Sequence, residues 1–310
     1  MAELAAAAAP PVVAVVGPTA SGKSALAIEI ALALAGEVVN ADAFQQYRGM
    51  DVGTAKPPAT ERRGVPHHLL DVLDVTQEAT VAEYQGAAAV VLDDIAGRGR
   101  HAVLVGGSGL YVRAVLDGLE IPPTDPAVRA RLEAELAVVG APALHARLAG
   151  RDPAAAAAIL PTNGRRVVRA LEVGELTGRP FRATMPAGAY ARRALQVGLE
   201  VPRDVLDRRI AARVDRMWRN GLVDEVRRLD AEGLSRGRTA ARALGYAQVL
   251  RVLSGELTDD EARAQTIAAT RRYARRQESW FRRDPRVTWL RHDDPDLVAR
   301  VVDLTSTLAP

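Results

Sequence analysis

Eight residues, Gly17-Pro18-Thr19-Ala20-Ser21-Gly22-Lys23-Ser24, match the spacing G-x-x-x-x-G-K-[ST], which cradles phosphate groups only when it joins a buried strand to the start of a helix. The flanks supply both. Before the match runs Val12-Val13-Ala14-Val15-Val16, short, β-branched and bounded by Pro10-Pro11. After it, Ala25 to Leu34 is rich in helix formers and closed by Gly36. The predicted unit is strand, loop, helix. At the helix N-terminus, free backbone N–H groups and the helix dipole attract anionic oxygen. Gly17 and Gly22 let the backbone close around the anion. Lys23 brings a point charge to a terminal phosphate and Ser24 a hydroxyl for Mg²⁺. The pattern says that a phosphate chain is bound, as in ATP- and other nucleotide-binding proteins. It leaves open which chain, and whether a phosphoryl group moves.

Such a unit leads to a parallel α/β sheet, and 310 residues, 48% of them apolar, suffice for one large domain or a core with an inserted lobe,. Lys and Arg number 41 against 38 acids, a net charge of +3. This excess does not by itself imply nucleic acid, so clustering decides. Cysteine is absent, which excludes disulfides, thiol nucleophiles and thiolate zinc sites and fits a reducing cytosol. The N-terminus, Met1-Ala2-Glu3-Leu4 followed by five alanines, lacks the charged start of a signal peptide and reads as a frayed tail,. No run approaches 18 apolar residues, so no membrane span is expected,.

Gly36 to Asp42 reads as a second short strand ending in an acid, and Ala43-Phe44-Gln45 to Met50 follows as a loop or short helix. Ligands of open parallel sheets bind beyond the C-terminal strand ends. Asp42 therefore falls on the edge that carries the phosphate loop, as a chemical group or as a helix cap. The adjacent His67 and His68 point apart in a strand and read as structural,. Val81 to Ala96 is predicted helical, with Val81, Tyr84, Ala88, Val91, Leu92 and Ile95 near one face,. His101 to Val105 is a third buried strand, ending in Gly106-Gly107-Ser108. ATP-hydrolysing relatives of the loop often place a metal-binding acid at such a strand end, so the glycines weigh against routine hydrolysis.

From Ile121 to about Tyr190 the texture is helical with no clear strand. Asp125-Pro126 and Asp152-Pro153 have the form of a cap followed by proline at the first helical position. The expected organisation is a core of residues 1–120 and 191–310 interrupted by a helical insertion, 121–190. In the insertion, Arg165, Arg166 and Arg169 share a helical face, either RNA-contacting or simply solvated,. Ala194 to Leu199 returns to the sheet, and Arg203 to Arg219 is an amphipathic helix. Its apolar stripe is Leu206, Ile210, Val214 and Met217, beside a basic stripe of Arg209, Arg213 and Arg216,. Thr270 to Arg283 interleaves Arg271, Arg272, Arg275 and Arg276 with Tyr273, Trp280 and Phe281. Arginines among aromatics suit phosphate contact and base stacking, and together with the phosphate loop they favour nucleic acid.

The chain resembles the tRNA dimethylallyltransferases, also called tRNA isopentenyltransferases. The resemblance is carried by the phosphate loop, Asn40-Ala41-Asp42, Tyr47-Arg48-Gly49-Met50-Asp51-Val52-Gly53-Thr54-Ala55-Lys56-Pro57, Pro66-His67-His68-Leu69-Leu70-Asp71, Leu104 to Tyr111, Arg169 to Val173, Leu244-Gly245-Tyr246 and Thr270 to Gln277. The phrases run in family order over nearly the whole chain. The resemblance implies a P-loop kinase-like parallel sheet flanked by helices, with an inserted all-helical subdomain. It implies transfer of a dimethylallyl group from dimethylallyl diphosphate to N6 of adenine 37, in the anticodon stem-loop of tRNAs reading codons that begin with U. Mg²⁺ is the implied cofactor, held at Ser24, in a cytoplasmic monomer with no protein partner. Asp42 then accepts the amine proton, while the loop amides, Lys23 and Arg213 neutralise the leaving diphosphate. Ser108 stands where the family has threonine and offers a hydroxyl to the amine or to Asp42. The expected RNA contacts are Asp42, Ala43, Phe44, Gln45, Arg165, Arg166, Arg169, Arg271 and Arg275. Asn163-Gly164-Arg165-Arg166 departs from the family's Asn-Asp-x-Gln-Arg, placing Arg165 where Gln is usual. The rival readings are a P-loop kinase of a nucleoside or small metabolite, with Asp42 as base for a hydroxyl, and a nucleotide-gated RNA-binding protein.

Overall fold

The computed structural model describes residues 9–181 and 188–308. The N-terminal tail, expected to be frayed, lies outside the described residues up to position 8. In chain order the elements begin with β1 (Val12–Val16), α1 (Lys23–Ala33), β2 (Glu37–Asn40) and β3 (His67–His68). Next come α2 (Val81–Gly97), β4 (Ala102–Gly106), α3 (Gly109–Leu116), α4 (Pro126–Arg151), α5 (Pro153–Ala158) and α6 (Gly164–Thr177). The last are β5 (Ala194–Glu200), α7 (Arg203–Arg219), α8 (Leu222–Ala231), α9 (Tyr246–Leu253), α10 (Asp259–Arg282), β6 (Val287–Arg291) and α11 (Leu297–Ser306).

The strands form one wholly parallel sheet in the order β3-β2-β4-β1-β5-β6. β1 is central and every residue in it is buried. Its β-branched run alternates between two cores, as a strand's period of two requires. Val12, Ala14 and Val16 pack with Tyr84 and Leu92 of α2 and Val112 of α3. Val13 and Val15 pack with Ala27 and Ile30 of α1 and Val301 of α11. A third core gathers Tyr47 and Met50 against Leu222, Val226 and Leu229 of α8 and Tyr246 of α9. The rings of His67 and His68 part to structural partners. His67 Nδ1 meets the Val65 carbonyl at 2.8 Å and His68 Nε2 meets the buried Glu37 carboxylate at 2.7 Å.

Residues Glu120–Ala189 form a compact unit of their own. Its described elements, α4, α5 and α6, are helical and close over Leu132, Leu144, Leu148, Val167 and Leu171. Both proline-led starts are capped as their sequence predicts. Asp125 accepts from the N–H groups of Ala127 and Val128, and Asp152 from that of Ala155. α4 bends at Gly140, whose φ of 79° breaks the helix two residues before Pro142. Among the described residues no helix is long and apolar enough to cross a membrane.

Candidate active site

The register of the sheet levels its C-terminal edge. Val16 of β1 pairs with Gly106 of β4, and Asn40 of β2 with Val105. Three strand ends therefore deliver the phosphate loop, Asp42 and Gly107-Ser108 to one place. α7, which follows the neighbouring β5, brings Arg213 there from the side.

In the loop, Gly17, Ala20 and Gly22 all take positive φ, at 136°, 64° and 101°. Positive-φ residues interspersed in a short loop let successive backbone N–H groups face one concavity, as in anion-binding turns. Gly22 is the N-cap of α1 and carries no side-chain cap, so the first N–H groups of the helix are left for a ligand. The Ser21 hydroxyl is buried without a partner in the loop. Lys23 donates to the Pro18 carbonyl at 2.9 Å. Burial pushes its ammonium down to about 8, with the charge of Asp42 acting upward against burial and that of Arg213 adding to it. A lysine, an arginine and a carboxylate thus act on one another directly. This is the chemistry of a site awaiting a polyanion.

Asp42 is fixed by an Asx-type turn. Its N–H donates to Asn40 Oδ1 at 3.0 Å, and its Oδ1 accepts the Phe44 N–H at 3.0 Å. The buried Asn40 side chain donates in turn to the carbonyls of Asp42 and Leu69, both at 3.0 Å. Among the described residues the second carboxylate oxygen of Asp42 has no hydrogen bond. Ser108 Oγ accepts from the Ala43 N–H at 3.3 Å rather than meeting the Asp42 carboxylate. Burial, and then the charge of Asp42, hold the Tyr273 hydroxyl well above the ordinary tyrosine range. Burial pushes the Arg213 guanidinium down, with Asp42 opposing. Arg213 donates to the Thr54 carbonyl at 2.9 Å, and Gln45 Nε2 reaches the same carbonyl at 3.2 Å.

For Mg²⁺ the donor set is spare. Ser24 stands exposed in the first turn of α1, and the described residues hold no cluster of three or more His, Cys, Asp or Glu. A lone hydroxyl next to a phosphate hollow fits a small hard cation that keeps its waters and takes other ligands from a diphosphate. It does not fit one caged by protein.

The model of the family described as IPP transferase matches residues 45–284. The chain belongs to the IPP transferase family. It is 64% identical over 304 residues to the tRNA dimethylallyltransferase of Kineococcus radiotolerans, covering 95% of this chain and 96% of that one. It is 41% identical to the crystal structure of the full-length tRNA isopentenylpyrophosphate transferase of Bacillus halodurans, with a TM-score of 0.70 over 96% and 95% of the two chains. A eukaryotic dimethylallyltransferase acting on tRNA is 22% identical, with a TM-score of 0.74 over 96% of this chain and 77% of that one, and shares the fold. The P-loop kinase-like sheet expected from the family is the one found.

The arginines expected at RNA divide by their surroundings. Arg165 and Arg166 are exposed on α6 and Arg275 is exposed on α10. Arg169 instead turns inward. It donates to the carbonyls of Pro122 and Pro123 at 2.7 and 2.9 Å and pairs at 2.7 Å with the fully buried Glu172. Burial pushes the Glu172 carboxyl up, but Arg129 and Arg169 outweigh it and hold the group below its ordinary value. All three lie on α6, but the Arg169 guanidinium is committed to Pro122, Pro123 and Glu172. Arg271 is likewise drawn to α7, where it donates to the Asp207 carbonyl at 3.3 Å and accepts from Arg203 through its own carbonyl.

Three structural groups escaped the sequence reading. Glu225 is buried, and its carboxylate accepts the N–H groups of Asp51, Val52 and Gly53 at 3.1, 2.8 and 3.2 Å and the Tyr246 hydroxyl at 2.5 Å. Its signal was present: Leu222, Glu225, Val226 and Leu229 fall on one helical stripe, so an acid there had to be buried. Lys56 bridges Asp51 at 2.8 Å, Asp71 at 2.5 Å and the Tyr47 carbonyl at 2.8 Å. Together these clamp the Gly49–Lys56 turn that presents Thr54 to Arg213. The third group is Gln277, between the phosphate loop and Gly107.

Proposed function

We propose that this enzyme transfers the dimethylallyl group of dimethylallyl diphosphate to N6 of adenine 37 in tRNAs that read codons beginning with U. The observation that carries the reading is the convergence, on one edge of the sheet, of the phosphate loop with Lys23, of Asp42 and of Ser108. The exocyclic amine of adenine is a weak nucleophile, because its lone pair is delocalised into the ring. It attacks the allylic carbon as the carbon–oxygen bond to diphosphate breaks, and the bonding electrons leave with the diphosphate. The amine proton passes to the oxygen of Asp42 that the Asn40–Phe44 turn leaves unbonded. Such a base contributes about 10²–10⁴-fold. Lys23, the loop N–H groups and Arg213 meet the growing charge on the diphosphate, each contact of this kind being worth about 2.7–4 kcal/mol of barrier. Mg²⁺, held through Ser24 and the diphosphate, would add Lewis-acid charge there.

On the acceptor side, the adenine leaves its stack to reach Asp42. Ser108 and the Ala43–Gln45 turn border it, and the exposed Arg165, Arg166 and Arg275 hold the phosphate backbone. The enzyme works as a cytoplasmic monomer, without ATP turnover. Incubation with dimethylallyl diphosphate, Mg²⁺ and unmodified tRNA, followed by mass analysis of the anticodon-loop fragments, tests the reading. The expected result is an adenosine heavier by one dimethylallyl group. Phosphate transferred from ATP to a small acceptor, with the RNA unchanged, would replace it by a kinase. The Asp42→Asn variant is expected to keep tRNA affinity and lose about 10²-fold or more in single-turnover rate. An unchanged rate would remove Asp42 from the base role.

A further inference from the structure

Just after β3 the backbone turns left-handed at two residues that are not glycine. Leu69 has a φ of 60° and Asp71 a φ of 56°. In that conformation a leucine Cβ crowds the carbonyl that follows it, so Leu69 keeps it only where its neighbours hold it. The neighbour that does so is Asn40. Its buried amide donates through Nδ2 to the Leu69 carbonyl and to the Asp42 carbonyl, both at 3.0 Å. Its Oδ1 accepts the Asp42 N–H at 3.0 Å. Carbonyls only accept and an N–H only donates, so the three partners fix which end of the amide is which. Asn40 is itself gripped. The Tyr84 hydroxyl donates to its carbonyl at 2.9 Å, and the Tyr84 ring stacks on that of Tyr111 with centroids 4.2 Å apart.

The loop that Leu69 opens is bonded to the turn that follows Asp42. The Asp71 N–H donates to the Gln45 carbonyl at 3.3 Å, and those of Val72 and Leu73 both donate to the Gln46 carbonyl, at 2.7 and 2.9 Å. The Arg48 N–H donates back to the Leu73 carbonyl at 2.9 Å. The Asp71 carboxylate is paired with the buried Lys56. A relaxation of Leu69 to ordinary backbone angles would therefore pull on Gln45 and Gln46. That pull would reach Asp42 through two or three peptide bonds. Asn40 opposes it at both ends, because one NH₂ group bonds the strained residue and the residue that carries the carboxylate.

We propose that Asn40 is a positioning residue for the acceptor side of the reaction: its buried amide holds Leu69 in a left-handed conformation and Asp42 in its turn at once, so that cutting this tether lets the strained loop drag the carboxylate out of place. This rests on the reading of Asp42 as the base.

The test is a cycle of Asn40→Ala, Leu69→Gly and the double variant in the full chain, with dimethylallyl diphosphate, Mg²⁺ and unmodified tRNA. Asn40→Ala should lower kcat about ten- to a hundred-fold. KM for dimethylallyl diphosphate should stay within about two-fold, since the phosphate loop hangs on another strand. Glycine takes the left-handed conformation without strain, so Leu69→Gly alone should keep kcat within about three-fold. In the double variant the drive to relax is gone, and kcat should recover by about three-fold or more over Asn40→Ala. Two substitutions that merely weakened the fold would compound, so this rescue separates positioning from structure. Leu69→Gly and Leu69→Ala, with Asn40 intact, test the strain without relying on an Asn40 variant to fold. Both remove the side chain, but alanine retains the clash, so the glycine variant should melt about 2 °C or more above the alanine variant. An alanine variant as stable as the glycine one would overturn the inference. So would a double variant no faster than Asn40→Ala, or a folded Asn40→Ala with wild-type kcat. If Asp42→Asn is itself unimpaired, it is the base reading that falls. If Asp42→Asn is impaired and Asn40→Ala is not, only the tether falls.

Discussion

Replacing Glu225 with glutamine removes one charge and one acceptor atom from a buried group that serves four donors. In the native chain, Oε2 accepts from Asp51 and Val52, and Oε1 from Gly53 and Tyr246. Glutamine retains one carbonyl oxygen, enough for the Asp51 and Val52 N–H groups. Its NH₂ then faces the Gly53 N–H, which is orphaned, and the Tyr246 hydroxyl, which rotates to accept. An orphaned buried donor costs about 1–3 kcal/mol, and two charge-assisted bonds weaken to neutral ones. The sum is about 3 kcal/mol, which for a chain of this size lowers the melting temperature by about 6 °C. The change also reaches the chemistry. The Asp51–Gly53 backbone leads into Thr54, whose carbonyl holds Arg213 at 2.9 Å. Misplacing that arginine by an ångström should cost kcat about ten- to a hundred-fold, with a smaller effect on KM for tRNA. Circular-dichroism melts and single-turnover kinetics read the two effects separately. A Glu225→Gln protein melting within about 1 °C of wild type with unchanged kcat would refute the clamp. Tyr246→Phe, which removes one bond only, should show less of both, and the double variant should be less than additive.

Two further outcomes are expected. Lys23 is held down to about 8 from its ordinary 10.5 by burial, and a diphosphate needs the charged ammonium. Its protonated fraction in the free enzyme declines as pH rises through about 8, so kcat/KM for dimethylallyl diphosphate should fall above that pH,. A profile flat to pH 10 would show that the lysine stays charged or makes no contact with the donor. For stability the sign differs: the burial penalty on the ammonium is fully present below about pH 8 and fades toward 10.5,. Arg275→Ala should weaken tRNA binding and lower the steepness of its salt dependence by about one unit, measured by filter binding over a salt series, whereas a salt slope equal to wild type would leave Arg275 without a phosphate contact.

Much of the core was legible locally. Val12–Val16 is a β-branched run between prolines and a glycine-rich turn, and such a stretch has few alternatives to a central strand. Leu206, Ile210, Val214 and Met217 recur at helical spacing, and all four are buried along α7. The phosphate loop was legible because its function resides in backbone geometry that its glycines dictate. What escaped were side chains whose partners lie far away in sequence. Arg169 looked like one more surface arginine until the carbonyls of Pro122 and Pro123, more than forty positions earlier, drew its guanidinium in. Ser108 was expected to offer its hydroxyl to the amine or to Asp42, and the close approach of the two strand ends also gives it the Ala43 N–H.

From its residues alone the chain prescribed a parallel sheet, an anion hollow after the first strand and a carboxylate after the second, because periodicity and turn chemistry act over a few residues. Only the closed tertiary structure put Asp42, Lys23 and Arg213 within each other's fields and threaded Gln277 between two loops. Contacts at such separations depend on the register of the sheet and on how helices lie across it, and no short stretch of sequence encodes either.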